Sequence, residues 1–217
     1  MNSVGVSPRF AVKEMNDLLR LAVDAHGGLA RWNRLKTVKA SVSITGAIWQ
    51  VKGKPDALKD ISIEAELHKE RLMSQTPETP WDDMHVAYFG SYALWNYLTI
   101  PFLCTYPGFV TEELAPWEEN GEQWRPLKVI VPDSIASHSR EQVVYFGPDG
   151  LLRRHDYTVD VMGGAPGSNY AADYCNVGGI VVPTKRRVYA PDANKRKIPE
   201  PVLVAIDIRD ISFGDGK

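Results

Sequence analysis

The stretch TPWDDMHVAYFGSYALWNYLTIPFLC, Thr79 to Cys104, constrains the fold more than any other part of the chain. It opens with helix-start chemistry. Thr79 can accept a hydrogen bond as N-cap, and Pro80 suits the first helical position, where no N–H is needed. Asp82 and Asp83 then sit against the positive end of the helix dipole. Beyond them the run is apolar on every side: Met84, Val86, Ala87, Tyr88, Phe89, Tyr92, Leu94, Trp95, Tyr97 and Leu98. A helix without a polar face must be enclosed, by protein or by lipid. A bilayer span needs about 20 apolar residues. His85, Gly90, Ser91 and Asn96 interrupt this run before Pro101 stops it. The reading is a helix enclosed by the rest of the molecule, with no transmembrane segment.

The enclosure must come from strands. Before them, Val12 to Ala25 reads as an amphipathic helix, with Met15, Leu18, Leu19, Ala22 and Val23 at helical spacing. Gly27 and Gly28 end it, one of them free to take the left-handed conformation. Leu29 to Leu35 allows a further helical turn anchored by Trp32. From Thr37 the period changes to two: Val38, Ala40, Val42 and Ile44 alternate with Lys39, Ser41, Ser43 and Thr45. Gly46 can bend this strand and Ala47 to Val51 can continue it. Ile61, Ile63, Ala65 and Leu67 form the apolar side of the next one. Ser74 to Glu78 is a loop.

Past Pro107 the chain reads as an antiparallel meander. Phe109 to Trp117 and Gln123 to Val131 flank the hairpin signal Asn120–Gly121. Glu141 to Phe146 and Leu151 to Val161 flank the turn Pro148–Asp149–Gly150. Tyr170 to Val177 and Ile180 to Tyr189 flank Gly178–Gly179. Pro191 to Pro201 is a loop and Val202 to Phe213 the last strand. Sheets of seven to nine strands tend to curl. The predicted fold class is therefore α+β, mostly β: a strongly curved antiparallel sheet wrapped around the buried helix, preceded by an N-terminal helix. No linker or repeat divides the 217 residues, so we expect one domain, 1–217, with residues 1–9 as a loose tail.

Composition excludes some partners. A formal charge of −2 gives no electrostatic reason to expect nucleic acid. Cys104 and Cys175, the only cysteines, fit buried thiols in a reducing compartment better than a disulfide framework. The N-terminus has no apolar core after a basic start and so does not read as a signal peptide. With Met1 as the natural start, a cytoplasmic location is expected. Phosphate-cradling glycine loops, GxSxG, HExxH and CxxC are absent, and we expect no cofactor and no metal site. Nothing in the sequence fixes the oligomeric state.

Two constellations can carry chemistry. On the strand from Leu151, alternation puts Leu151, Arg153, His155, Tyr157, Val159 and Val161 on one face. It is the more apolar face and is read as inward. His155 and Tyr157 are then catalytic candidates for proton exchange, and Arg153 a binding candidate for a carbonyl or carboxylate. The second constellation is Asp82 with His85, three apart on one helix face and able to act as a general base with its orienting carboxylate. Structural readings stand beside both: a rim ion pair for Arg153, a capping role for Asp82, a core role for His85. The aromatics Trp81, Tyr88, Phe89, Tyr92, Trp95 and Tyr97 can line a ligand pocket or simply form core. Lys185–Arg186–Arg187 and Lys195–Arg196–Lys197 are read as solvated surface.

The opening AVDAHGGLARWNRLKTVKASVSITG, with the later runs VVYFGPDGLLRRHDYTV and CNVGGIVVPTKRRVY, resembles the bacterial outer-membrane lipoprotein carriers. In that family a helix, a glycine pair and an aromatic precede the first strand. The resemblance implies an unclosed β-barrel with helices lodged in its mouth, holding acyl chains or another apolar ligand. The expected function is binding of an apolar small molecule, an acyl chain or polyketide-like compound, in a half-barrel cavity. The alternative is a cofactor-independent isomerase or cyclase acting on an apolar substrate in the same cavity.

Overall fold

The computed structural model describes residues 15–70 and 82–215. Helix α1 (Asp17–Ala25) begins at its cap: Asn16 Oδ1 accepts from the Leu19 N–H at 2.8 Å, and Asn16 Nδ2 donates to Thr111 Oγ1 at 3.1 Å. The predicted start at Val12 falls outside the described residues. Leu18, Leu19, Ala22 and Val23 form the buried stripe, as their spacing requires. Asn16→Ala should cost about 1 kcal/mol, the usual value of an N-cap, read from the urea midpoint. No measurable loss would mean the cap is idle.

Gly27 follows α1 with φ +116, and a Cβ there would lie 2.1 Å from the Gly179 carbonyl oxygen. The position admits only glycine, because the β-hairpin that carries Gly179 passes against its backbone. Helix α2 (Leu29–Trp32) presents Trp32, which stacks on Phe102 at 4.2 Å and donates to the Tyr106 hydroxyl at 3.0 Å. Strand β1 (Thr37–Thr45) shows the expected alternation. Its continuation through Ala47 to Val51 does not exist. Gly46 turns the chain at φ +125, and α3 (Ala47–Val51) folds back to bury Trp49. Only Trp49 of its four apolar residues is buried and Val51 is 83% exposed, so the turn at Gly46, not the apolar content, selects the helix.

Strand β2 (Ile61–Glu66) leads toward α4 (Asp83–Thr99). Asp82, not Thr79, is its N-cap, accepting from the His85 N–H at 2.9 Å. Thr79, Pro80 and Trp81 lie outside the described residues. After α4 come β3 (Val110–Glu113), β4 (Trp117–Glu119) and β5 (Glu122–Ile130). The single strand expected from Phe109 to Trp117 is broken before Pro116, and both pieces pair with β5. Asn120 and Gly121 take positive φ of 55° and 76° in the hairpin between β4 and β5. Strands β6 (Glu141–Phe146), β7 (Leu152–Val159), β8 (Ala165–Val177), β9 (Ile180–Tyr189) and β10 (Val204–Gly214) complete the meander.

Among the described residues the strands form one antiparallel sheet in the order β2-β1-β10-β9-β8-β7-β6-β5-β3, not closed into a barrel, with β4 beside β5. Its curvature follows from what α4 touches. Trp95 Nε1 donates to the Glu66 carbonyl of β2 at 2.8 Å. Two residues on, the Tyr97 hydroxyl meets the Tyr157 hydroxyl of β7 at 2.6 Å. Those strands stand five places apart, about 24 Å in a flat sheet, whereas a helix with side chains is about 10–12 Å across. Only a sheet bent around α4 reaches both sides of it.

The enclosure is complete for the C-terminal half of α4, where every residue from Tyr92 to Ile100 is buried. In the N-terminal half the expectation fails: Met84, Ala87 and Ser91 are exposed, one stripe at helical spacing. Cys104 is buried, Cys175 half-buried, and both are free thiols. No helix among the described residues is long and apolar enough to cross a membrane.

Candidate functional site

The concave face of the sheet, α3 and α4 enclose a narrow pocket of about 70 Å³. Ile44, Trp49, Phe89, Leu94, Val188 and Ile206 supply apolar walls, and Tyr97, Tyr157 and His138 bring the polar atoms. Alternation along β1, β9 and β10 puts the wall residues on one face, and α4 presses Phe89 and Leu94 against them. A wider groove of about 610 Å³ lies between α4 and β2, but Glu64, Glu66, Lys69 and Glu70 are among its walls. Charged walls do not suit an apolar ligand.

The polar end of the pocket is a closed hydrogen-bond chain. Tyr97 Oη lies 2.6 Å from Tyr157 Oη and 2.8 Å from His138 Nε2, and Tyr92 Oη lies 3.2 Å from His138 Nδ1. Both ring nitrogens of His138 are thus engaged by hydroxyls, which a neutral imidazole satisfies by donating at one and accepting at the other. Burial pushes the His138 pKa down to about 3 and that of Tyr97 up to about 12. Burial also raises Tyr157 well above the tyrosine range.

Beside this chain, His155 Nε2 donates to Gln142 Oε1 at 2.6 Å, which leaves Nδ1 as the acceptor and without a partner. Burial first, then the Arg186 charge and His138, hold His155 well below the histidine range. Arg186 is 1% exposed, and its Nη2 donates to the Tyr97 carbonyl at 2.6 Å. Its guanidinium carbon lies 5.0 Å from the Tyr97 ring centre.

The structure brings some sequence candidates together and separates others. His155 and Tyr157 do face inward, with ring centres 5.1 Å apart. Arg153 does not. A register shift opposite Tyr145 and Phe146 inserts one residue into β7 and reverses the face of everything before Arg154. Arg153 therefore lies at the rim, bonded to Glu122 at 2.9 and 3.0 Å and to Asp149 at 2.9 Å. Its binding role inside the cavity is corrected to an ion-pair role outside it.

Asp82 and His85 form their pair, 2.7 Å from Oδ1 to Nδ1, but at the exposed start of α4. Backbone donation from His85 holds the Asp82 carboxyl below its usual range, as expected of a cap. Twelve residues of helix, about 18 Å, separate His85 from Tyr97, so the two candidate constellations are not one site. Tyr88, Tyr92 and Trp95 border the groove toward β2, while Phe89 and Tyr97 line the apolar pocket. Trp81 lies outside the described residues.

His138, Gln142, Asn169 and Arg186 were not singled out from the sequence. For Arg186 the signal was present. Val182, Thr184, Arg186 and Val188 share one strand face, and that face is the concave one. The reading of Lys185–Arg186–Arg187 as solvated surface holds for its flanks, which pair with Asp173 and Asp207, and fails for Arg186. Among the described residues no cluster of three or more His, Cys, Asp or Glu has metal-binding geometry.

Comparison with solved structures finds the fold elsewhere. A putative outer membrane lipoprotein-sorting protein domain from Vibrio parahaemolyticus matches over 92% of this chain and 93% of its own, with a TM-score of 0.50 and 14% identity. A LolA superfamily protein from Nitrosomonas europaea covers 89% and 91%, with a TM-score of 0.48 and 9% identity. A DUF1329 family protein from Desulfovibrio piger covers 92% and 93%, with a TM-score of 0.45 and 10% identity. The fold expected from the resemblance is the one shared with the lipoprotein-sorting protein domain. No family model matches the chain, and no curated protein matches it.

Proposed function

We propose that the chain binds an apolar small molecule, an acyl chain or a compound of similar shape, between α4 and the concave face of the sheet. One observation carries this reading. The pocket there is walled by apolar side chains and closes on a buried hydroxyl–imidazole chain, a combination that holds an apolar body and orients one polar end. The fold shared with a lipoprotein-sorting domain agrees with it.

At about 70 Å³ the pocket is far smaller than the roughly 300–1,000 Å³ of ordinary ligand sites. Occupancy therefore requires α4 to move from the sheet. Its N-terminal half, exposed along Met84, Ala87 and Ser91, is the part that can do so with least loss of burial. A cofactor-independent isomerase or cyclase is the less favoured use of the same pocket. Acid–base turnover at neutral pH needs a group that titrates there, and burial moves His138, His155 and Tyr157 away from neutrality.

The test is titration with a fluorescent acyl probe, followed by displacement with 1-dodecanol. Ala93 lines the pocket and is buried, so Ala93→Leu fills space without deleting a contact. At least tenfold weaker binding is expected for that variant, with a melting temperature measured alongside to establish that it folds. Equal affinity in a folded Ala93→Leu protein, or no binding by the parent, would defeat the proposal.

A further inference from the structure

Arg186 is the one buried cation on the concave face for which the described residues offer no carboxylate. Its Nε and Nη1 have no hydrogen-bond partner, and the groups that bear on its charge are Tyr97, Tyr157, Tyr174 and histidines. An arginine stays ionised, so the charge is buried and unbalanced. Such a charge is expensive to keep in an apolar interior unless an anion meets it. Elsewhere the chain handles buried arginine in the ordinary way: Arg154, fully buried, has Glu119 and Asp156 on it.

The surroundings of Arg186 are also short of partners. Asn169 is fully buried, and its amide faces the Tyr97 and Tyr157 hydroxyls without reaching hydrogen-bonding geometry. The free Nδ1 of His155 adds an acceptor. These three residues lie on a diagonal across β7, β8 and β9. His155 pairs with Asn169, and Arg186 sits diagonally beyond it on β9. Val188, directly opposite Asn169, lines the apolar pocket, as do Tyr157 and Gly167, the pair two residues further along β7 and β8. Two residues of strand, about 7 Å, separate Arg186 from Val188 and His155 from Tyr157. The Tyr97 and Tyr157 hydroxyls pair beside this diagonal, and Arg186 lies against the face and carbonyl of Tyr97.

We propose that this polar cluster is the headgroup site of the pocket and that the apolar ligand is a carboxylic acid. Its carboxylate reaches Arg186 once the Tyr97–Tyr157 pair parts, the Asn169 amide donates to the same group, and the tail occupies the space between α4 and the sheet. The proposal rests on the pocket reading above and adds the charge of the ligand. A guanidinium with free donors selects a planar anion over a neutral head, because the neutral head leaves the charge uncompensated.

The experiment compares dodecanoate with 1-dodecanol, by calorimetric titration of the parent protein and of Arg186→Met. In the parent, dodecanoate is expected to bind at least tenfold more tightly than the alcohol. Arg186→Met is expected to lose that preference and to melt at a higher temperature without ligand. Should the parent bind acid and alcohol equally, Arg186 is an internally hydrated structural residue and the headgroup site is wrong, while the apolar pocket stands. Should it bind neither, the pocket reading fails as well. The parent's preference is decisive even if Arg186→Met does not fold.

Discussion

Acidification from pH 8 to pH 4.5 is expected to remove about 5 kcal/mol of folding stability through the buried His26 and His138 alone, with His155 adding to the loss in the same direction. His26, His138 and His155 are each 5% exposed or less. Burial lowers the pKa of His26 to about 4 and that of His138 to about 3, and holds His155 well below the ordinary 6.5. Above pH 6.5 the rings are neutral in both the folded and the unfolded chain and cost nothing. Below it the unfolded chain takes up protons that the folded one refuses. Stability therefore falls as pH drops from 6.5 toward the folded-state values, by about 1.4 kcal/mol per pH unit for each ring. Domains of this kind have only about 5–15 kcal/mol in total.

Glu70 acts with the opposite sign. Burial raises its carboxyl to about 7, so its cost is felt at high pH and relieved on acidification, which offsets part of the loss. Urea midpoints across this range measure the sum, and their slope near pH 5 gives the protons taken up on unfolding, about two to three. His26→Leu should remove one of them. A stability that stays flat down to pH 5 would show that these rings are hydrated or protonated in the folded state.

Arg154→Ala is expected to cost about 3–5 kcal/mol, the range for removing one partner of a buried ion pair. Arg154 is fully buried on the convex side of β7, where β4 and β5 fold over it. Its guanidinium holds Asp156 at 2.7 and 2.5 Å and Glu119 at 2.9 Å, and packs among the rings of Trp117, Tyr145 and Tyr170. Burial pushes the Glu119 carboxyl up. Hydrogen bonds from Tyr170 and Trp117 and the Arg154 charge outweigh that and hold it below the usual range. Without Arg154 only the Tyr170 and Trp117 hydrogen bonds and Arg196 at 3.8 Å remain, and a 6%-exposed carboxylate loses its main counter-charge. Arg154→Lys should recover only part of the loss, since an ammonium cannot grip two carboxylates with a planar fork. A urea midpoint within about 1 kcal/mol of the parent after Arg154→Ala would mean that β4 and β5 swing away and let water solvate Glu119.

These two clusters show where the sequence was legible. The hairpins at Asn120–Gly121 and Gly178–Gly179 stand where their residues demanded positive φ. The β-strand periodicity of Val38 to Ile44 and the helix stripe of Leu18 to Val23 became buried faces. Each of those readings depends on neighbours within a few residues. The apolar content of Ala47 to Val51 is equally compatible with a strand, and only the turn at Gly46 selects α3.

Local chemistry thus determined the element order, the turns, and a helix that the strands had to surround. What the sequence could not supply was parity across a bulge and proximity between distant strands. One extra residue in β7 moved Arg153 outward, and the bending of the sheet brought Arg186, Asn169 and Tyr97 together from β9, β8 and α4. Side-chain direction alternates with every residue, so a single insertion inverts a face. Which charges end up buried without partners is decided only when the sheet closes over the helix.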